Sequence, residues 1–167
     1  MSDVTFEAFG PAQLASWLER SRSDYISERM SAGDTLAEAS ANADASLDRT
    51  FPDGSPGPGQ LVGWISHNGV HAGELWIGPF GDDPRRWWVW NVAIDEERRG
   101  LGLGRKAMVL AEELAAANGA TSIGLNVFAH NGIARRLYQS LGYEETSIQM
   151  RKSLQPPQPE EQLTLDQ

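Results

Sequence analysis

Six residues, Arg99-Gly100-Leu101-Gly102-Leu103-Gly104, carry the densest chemical signal in the chain. Glycine tolerates positive φ and lets a backbone approach a ligand closely. A helix start leaves amide N–H groups unpaired, and its dipole favours anions. A glycine turn that feeds a helix is therefore a cradle for phosphate, and Arg98, Arg99, Arg105 and Lys106 add cations around this one. Three patterns compete for it. A Walker A loop fails because Arg105 stands where its second glycine belongs. A dinucleotide fingerprint starting at Gly102 lacks an acidic residue about 20 positions on. The third, Arg/Gln-x-x-Gly-x-Gly/Ala, is matched in full by Arg99, Gly102 and Gly104.

The elements that must position this turn follow from periodicity. Val4–Phe9 alternates as a strand, and Gly10-Pro11 ends it and opens a helix. Leu14, Trp17, Leu18, Tyr25 and Met30 supply that helix with a partial apolar stripe. Asp34 reads as the N-cap of a second helix, Thr35 to about Thr50, with Leu36, Ala39, Ala43 and Leu47 on one face. After the Pro/Gly-rich loop 52–59 the pattern turns to strands. Leu61–His67 and Val70–Ile77 flank Asn68-Gly69, a strong hairpin signal, and Arg86–Ile94 follows. Five of the six tryptophans fall in this meander. The glycine turn then leads into a helix, Arg105–Asn118, and a strand, Ser122–Ala129. Asn131 caps a further helix with Ile133, Leu137 and Leu141 on one face, and Tyr143–Leu154 reads as one or two closing strands. The order predicts a single α+β (mixed α/β) domain over 1–154. Residues 155–167 form an acidic, proline-containing tail.

Composition bounds the function. The 167 residues carry 14 Lys+Arg against 23 Asp+Glu, a net charge of −9, which argues against nucleic acid and anionic membranes as partners. There is no cysteine, so thiolate catalysis and cysteine-ligated metals are excluded. His67 and His71 bracket a hairpin turn without further evident ligands, and no metal is expected. No apolar run reaches membrane-span length, and the first ten residues lack signal-peptide character, so a cytoplasmic protein is expected. The charge is uneven: residues 98–154 carry +4, and everything else carries −13. The cationic segment is the one that contains the glycine turn.

Two signatures in order give this sequence a family resemblance. Asn91-Val92-Ala93-Ile94-Asp95 through Gly104 is one; the other runs from Asn126 through His130-Asn131-Gly132 and Leu137-Tyr138 to Leu141-Gly142-Tyr143. Over roughly Leu61–Leu154 the chain resembles the GNAT superfamily of N-acetyltransferases. The resemblance implies a GNAT-like domain with a twisted mixed sheet of about six or seven strands and about four helices. It also implies acetyl-CoA as co-substrate and acetyl transfer to a primary amine by direct attack in a ternary complex.

Residue by residue, the resemblance assigns the pantetheine arm to the backbone of Val92 and Ile94, with Ala93 between them. The pyrophosphate falls to Arg99, Gly100, Leu101, Gly102, Leu103 and Gly104, with Arg105 beside it. Asn131 touches the cofactor, caps its helix, or does both. Tyr138 is the candidate general acid, since a phenol of pKa about 10 stays protonated at neutral pH and matches a thiol leaving group; its helix face is also a core face. Many relatives hold a glutamate on the Trp87–Trp90 strand, where this chain has Trp88. Glu74 is then the candidate base, although a solvated strand face is the favoured expectation for it and water-mediated proton removal is equally compatible. The alternative reading is a catalytically inactive CoA-binding regulatory or interaction module. The acceptor is a small-molecule or peptide amine, a cationic one on the charge asymmetry, and a homodimer is compatible with a sheet protein of this size.

Overall fold

A computed structural model describes residues 3–152 and 154. Its elements in chain order are β1 (Val4–Ala8), α1 (Pro11–Ser31), α2 (Leu36–Thr50), β2 (Leu61–His67), β3 (Val70–Phe80), β4 (Asp83–Ile94), α3 (Leu103–Ala117), β5 (Ser122–Leu125) and α4 (Gly132–Ser140), with one-turn 3₁₀ segments at Pro52–Gly54 and Glu96–Arg98. The five strands form one sheet in the order β1-β2-β3-β4-β5. All neighbours are antiparallel except β4 and β5, which run parallel and are joined through α3, as a parallel pair requires.

The hairpin at Asn68-Gly69 forms as its chemistry dictates, with φ of 53° and 75° at the two central residues, the twist-matched geometry for a two-residue turn. The sheet buries both faces. Leu75, Ile77, Trp87 and Val89 pack with Leu103, Ala107, Met108 and Ala111 of α3. On the opposite face Val62 and Trp76 pack with Leu14 and Trp17 of α1 and with Phe51. Alternation along β3 therefore sends Leu75 and Ile77 to α3, and sends Glu74 and Trp76 to α1.

Several expectations need correction. The sheet has five strands among the described residues, not six or seven, because residues 143–152 are irregular and Ile148 and Met150 stand exposed beside no strand. β5 stops at Leu125 rather than Ala129. The α1 stripe enters the core only in its first half; Tyr25 and Met30 are exposed, as are Leu36 of α2 and Ile133 of α4. Thr35, not Asp34, caps α2: its side chain accepts from the Glu38 N–H, and the Glu38 carboxylate accepts from the Thr35 N–H, a reciprocal capping box. The acidic tail expected at 155–167 lies outside the described residues.

Asp34 has a different task. Arg29 Nε donates to its Oδ2 at 2.6 Å and Arg151 Nη2 donates to its Oδ1 at 2.9 Å, so the α1–α2 turn is tied to the segment after α4. Arg151 first, and then Arg29, holds the Asp34 carboxyl below the usual carboxylate range. A depressed carboxyl contributes stability above its unfolded pKa near 4, and that contribution is lost as pH falls through the folded value. Asp34→Asn is expected to flatten the fall of Tm between about pH 5 and pH 3. Thermal unfolding of both proteins across that range checks it; parallel curves would remove Asp34 from the acid response.

Candidate active site

The site grows out of an interrupted strand pair. β4 pairs with β5 from Arg86 to Val89 and no further, so Trp90–Ile94 presents an edge with no strand partner among the described residues. At the point of departure the register between β3 and β4 shifts, Trp76 facing Asn91 and Ile77 facing Val89, with Trp90 as the extra residue. A bulge of this kind bends a strand and re-aims its backbone. Val92, Ala93 and Ile94 lie on the freed edge.

The chain then passes through Glu96–Arg98 into the glycine turn. Gly100 and Gly102 adopt φ of 78° and 72°, the left-handed region that only glycine enters cheaply. Gly102 is the N-cap of α3, so Leu103, Gly104 and Arg105 sit in its first turn, where amides have no intrahelical partner. Arg99 Nε donates to the Ile94 carbonyl at 3.1 Å, binding the turn to the end of β4. Arg105 donates to Ser140 Oγ and so joins the start of α3 to the end of α4.

Asn131 caps α4, its Oδ1 accepting from the Ala134 N–H at 3.2 Å. Tyr138, two turns on, is partly buried against the α3-side core, its ring 5.9 Å from that of Tyr143. Burial pushes its phenol above the ordinary value.

Glu74 lies on the opposite face, level with Ala93 across the β3–β4 ladder. The expectation of a solvated position fails because Trp17 of α1 covers it. Trp17 Nε1 donates to Oε2 at 2.9 Å, Arg20 donates to Oε1, and the Glu74 side chain is 18% exposed. The carboxylate opens onto a cavity of about 390 Å³ between α1, α2 and the sheet, to which Trp76, Trp90, Asn91 and Ala93 also contribute. Glu74 and Ala93 therefore meet at one cavity, whereas Tyr138, Asn131 and the glycine turn lie outside its lining. Trp88 stacks on Phe80, their ring centroids 4.6 Å apart. His67 and His71 pair with Asp3 and Asp95 respectively.

Residues 14–143 match the model of the Acetyltransferase (GNAT) family. The chain belongs to that family. Among curated proteins it is 28% identical over 145 residues to the uncharacterized N-acetyltransferase YycN of Bacillus subtilis, covering 85% of this chain and 93% of that one. It is 29% identical over 157 residues to the uncharacterized N-acetyltransferase YdgE of the same organism, covering 92% and 95%. The mycothiol acetyltransferase of Kocuria rhizophila is 36% identical over 79 residues, 47% of this chain and 24% of that protein. The crystal structure of YycN superposes with a TM-score of 0.81 at 26% identity, covering 92% and 99% of the two chains. The GNAT chain is thus an N-acetyltransferase in class.

The family generally uses acetyl-CoA, and the residues here suit it. An open β-edge matches an amide-bearing arm, and free helix-start amides flanked by Arg99 and Arg105 match a pyrophosphate. Sequence reasoning missed Trp17, Arg20, Asp24 and Glu28 as cavity residues. Their signal was present: from Trp17 the side chains at steps of three and four residues share one helix face.

Proposed function

We propose that this chain moves the acetyl group of acetyl-CoA to a primary amine by direct attack within a ternary complex, with Glu74 as proton acceptor and Tyr138 as proton donor. The observation that carries the reading is the Glu74 carboxylate, held by Trp17 and Arg20 at the cavity wall level with Ala93.

Acetyl-CoA supplies a thioester; the amine nitrogen forms the new C–N bond as the C–S bond breaks, with one proton released per ammonium consumed. The amine arrives protonated and must lose a proton before its lone pair is free. Glu74 takes that proton, and the donors on Trp17 and Arg20 fix its carboxylate in orientation. Val92, Ala93 and Ile94 offer backbone groups to the pantetheine arm, and the turn from Arg99 to Gly104, with Arg105 and Asn131 beside it, holds the phosphate end. Tyr138 returns a proton to the departing sulfur. Catalysis rests on positioning more than on an unusual nucleophile.

Free-thiol release from acetyl-CoA with a panel of primary amines tests the reading; CoA binding without turnover of any amine would refute it. Glu74→Gln keeps the shape and an acceptor oxygen, so the fold persists. It is expected to lower kcat about 100-fold, the low end of a general base's contribution. An unchanged kcat would show that proton loss is routed elsewhere.

A further inference from the structure

Most charged side chains around the cavity are already engaged. Glu74 holds Trp17 and Arg20, and Arg22 forks onto Asp44 at 2.6 and 3.1 Å. Asp24 and Glu28 of α1 stand exposed to water, and the charge of His130 acts on Glu28. Asn91 differs. It is half-buried on the sheet wall of the cavity, and its carboxamide has no hydrogen-bond partner among the described residues. A polar side chain withdrawn from water without a partner costs stability, so folding alone does not account for it. The neighbouring Trp90 also has an unpartnered Nε1, but that atom is sealed among side chains, whereas the Asn91 carboxamide is not.

The β4 bulge decides which way Asn91 faces. Trp90 is the extra residue, and its ring stacks on that of Trp76 with centroids 5.3 Å apart. Asn91 faces Trp76 across the ladder, and Trp76 belongs to the α1-side core, so Asn91 shares the face of Glu74. Glu74 in turn faces Ala93. That register makes Glu74 and Asn91 diagonal neighbours, about 7 Å apart, and one nitrogen fits between a carboxylate and a carboxamide at that spacing. Trp17 and Arg20 each take one oxygen of Glu74. An ionised carboxylate offers about four acceptor sites, so Glu74 accepts a third donor without releasing either.

We propose that Asn91 positions the acceptor: its Oδ1 accepts one N–H of the amine whose other N–H lies on Glu74, and the two side chains fix the nitrogen beside the freed edge of β4. This rests on the acetyl-transfer reading for what the nitrogen does next, but not for its binding. A neutral carboxamide suits the task. It holds the nitrogen before and after the proton leaves for Glu74, whereas a second carboxylate would favour the ammonium and oppose that transfer. Asn91 itself takes no proton.

Benzylamine and n-butylamine are the probes, since Trp17, Trp76 and Trp90 wall the cavity and aromatic walls cover rings and methylene chains alike. Each is titrated calorimetrically into the full chain with CoA present, so that no transfer occurs, and each is assayed separately for thiol release from acetyl-CoA. Asn91→Leu, apolar and of similar size, is expected to weaken both amines at least 10-fold, the loss of one charge-assisted hydrogen bond. Its affinity for acetyl-CoA should stay within twofold, because the pantetheine arm is assigned to backbone. Its Tm should equal or exceed the native value, since an unpartnered amide leaves the wall. Asn91→Asp keeps the oxygen and should bind both amines at least as tightly as the native chain. Unchanged amine affinity in Asn91→Leu overturns the proposal, as does a native chain that binds neither amine. A Tm that falls in step with amine affinity overturns it too, since the carboxamide would then be structural. So does an Asn91→Asp chain that binds as weakly as Asn91→Leu, because the oxygen would then play no part. A 10-fold loss in a chain that transfers no acetyl group supports the site and instead overturns the transfer reading.

Discussion

Tyr138→Phe is expected to lower kcat by about 1000-fold while leaving the affinity for CoA within twofold, because the change removes one oxygen from a side chain whose ring remains packed. The argument starts from the leaving group. A thiolate must be protonated as the C–S bond opens, and the donor must be neutral at the working pH. Burial raises the Tyr138 phenol above its ordinary value, so the hydroxyl keeps its proton throughout the neutral range. The sign follows directly: activity that depends on the protonated phenol is intact below its pKa and lost as pH rises through it. The wild-type kcat profile should therefore hold its plateau past the ordinary phenol range before descending, and the residual activity of the variant should lack that descent. Tyr143 is the control. Its ring lies 5.9 Å from that of Tyr138, and burial, with the negative charge of Glu112, holds its phenol still more firmly protonated. Tyr143→Phe is expected to change Tm and leave kcat unaltered. Stopped-flow and steady-state thiol release on both variants decide the matter; equal loss in the two, or none in Tyr138→Phe, would strip Tyr138 of its role.

What could be read from the sequence divides by the range of the interaction involved. The glycine turn is local: the φ values at Gly100 and Gly102 and the N-cap at Gly102 follow from residue types within a few positions. The Asn68-Gly69 hairpin and the Asn131 cap are legible for the same reason. Glu74 is the opposite case. Its alternation on β3 says which face it shares with Trp76, but not that a helix nearly sixty residues earlier lays Trp17 and Arg20 over it. No periodicity encodes that distance. Strand count failed similarly. Alternating apolar residues at Ile148 and Met150 satisfy a strand pattern, yet a strand exists only where a partner edge accepts it, and here both residues stand exposed. The asymmetry of charge was visible as arithmetic, whereas its meaning came from geometry. Arg105 contacts Ser140 and Arg99 contacts the Ile94 carbonyl, so part of the local positive charge braces the turn that it surrounds.

Gly73→Ala is expected to weaken the fold and acetyl-CoA binding together, because the site's open edge depends on how closely β3 and β4 approach. A Cβ at residue 73 would come within 2.0 Å of the Ala93 carbonyl oxygen and 3.0 Å of the Ile94 Cα, both backbone atoms that no rotamer change can move aside. β4 must retreat at the residues whose other edge is assigned to the pantetheine arm. Overpacking of this severity costs about 3 kcal/mol, which for a chain of this size lowers Tm by about 6 to 12 °C. Displacement of Ala93 and Ile94 should also weaken acetyl-CoA binding at least 10-fold, measured well below the new Tm. Gly132→Ala separates this effect from the general cost of losing a glycine. At residue 132 the nearest atom to an added Cβ is the end of the Arg136 side chain at 3.4 Å, ordinary contact with a flexible group, so both Tm and affinity should hold. A Gly73→Ala protein with reduced Tm but full affinity would mean that β4 relaxes without moving its open edge. That result would detach the Val92–Ile94 backbone from donor binding, while unchanged values of both would show that the two strands yield more easily than their spacing implies.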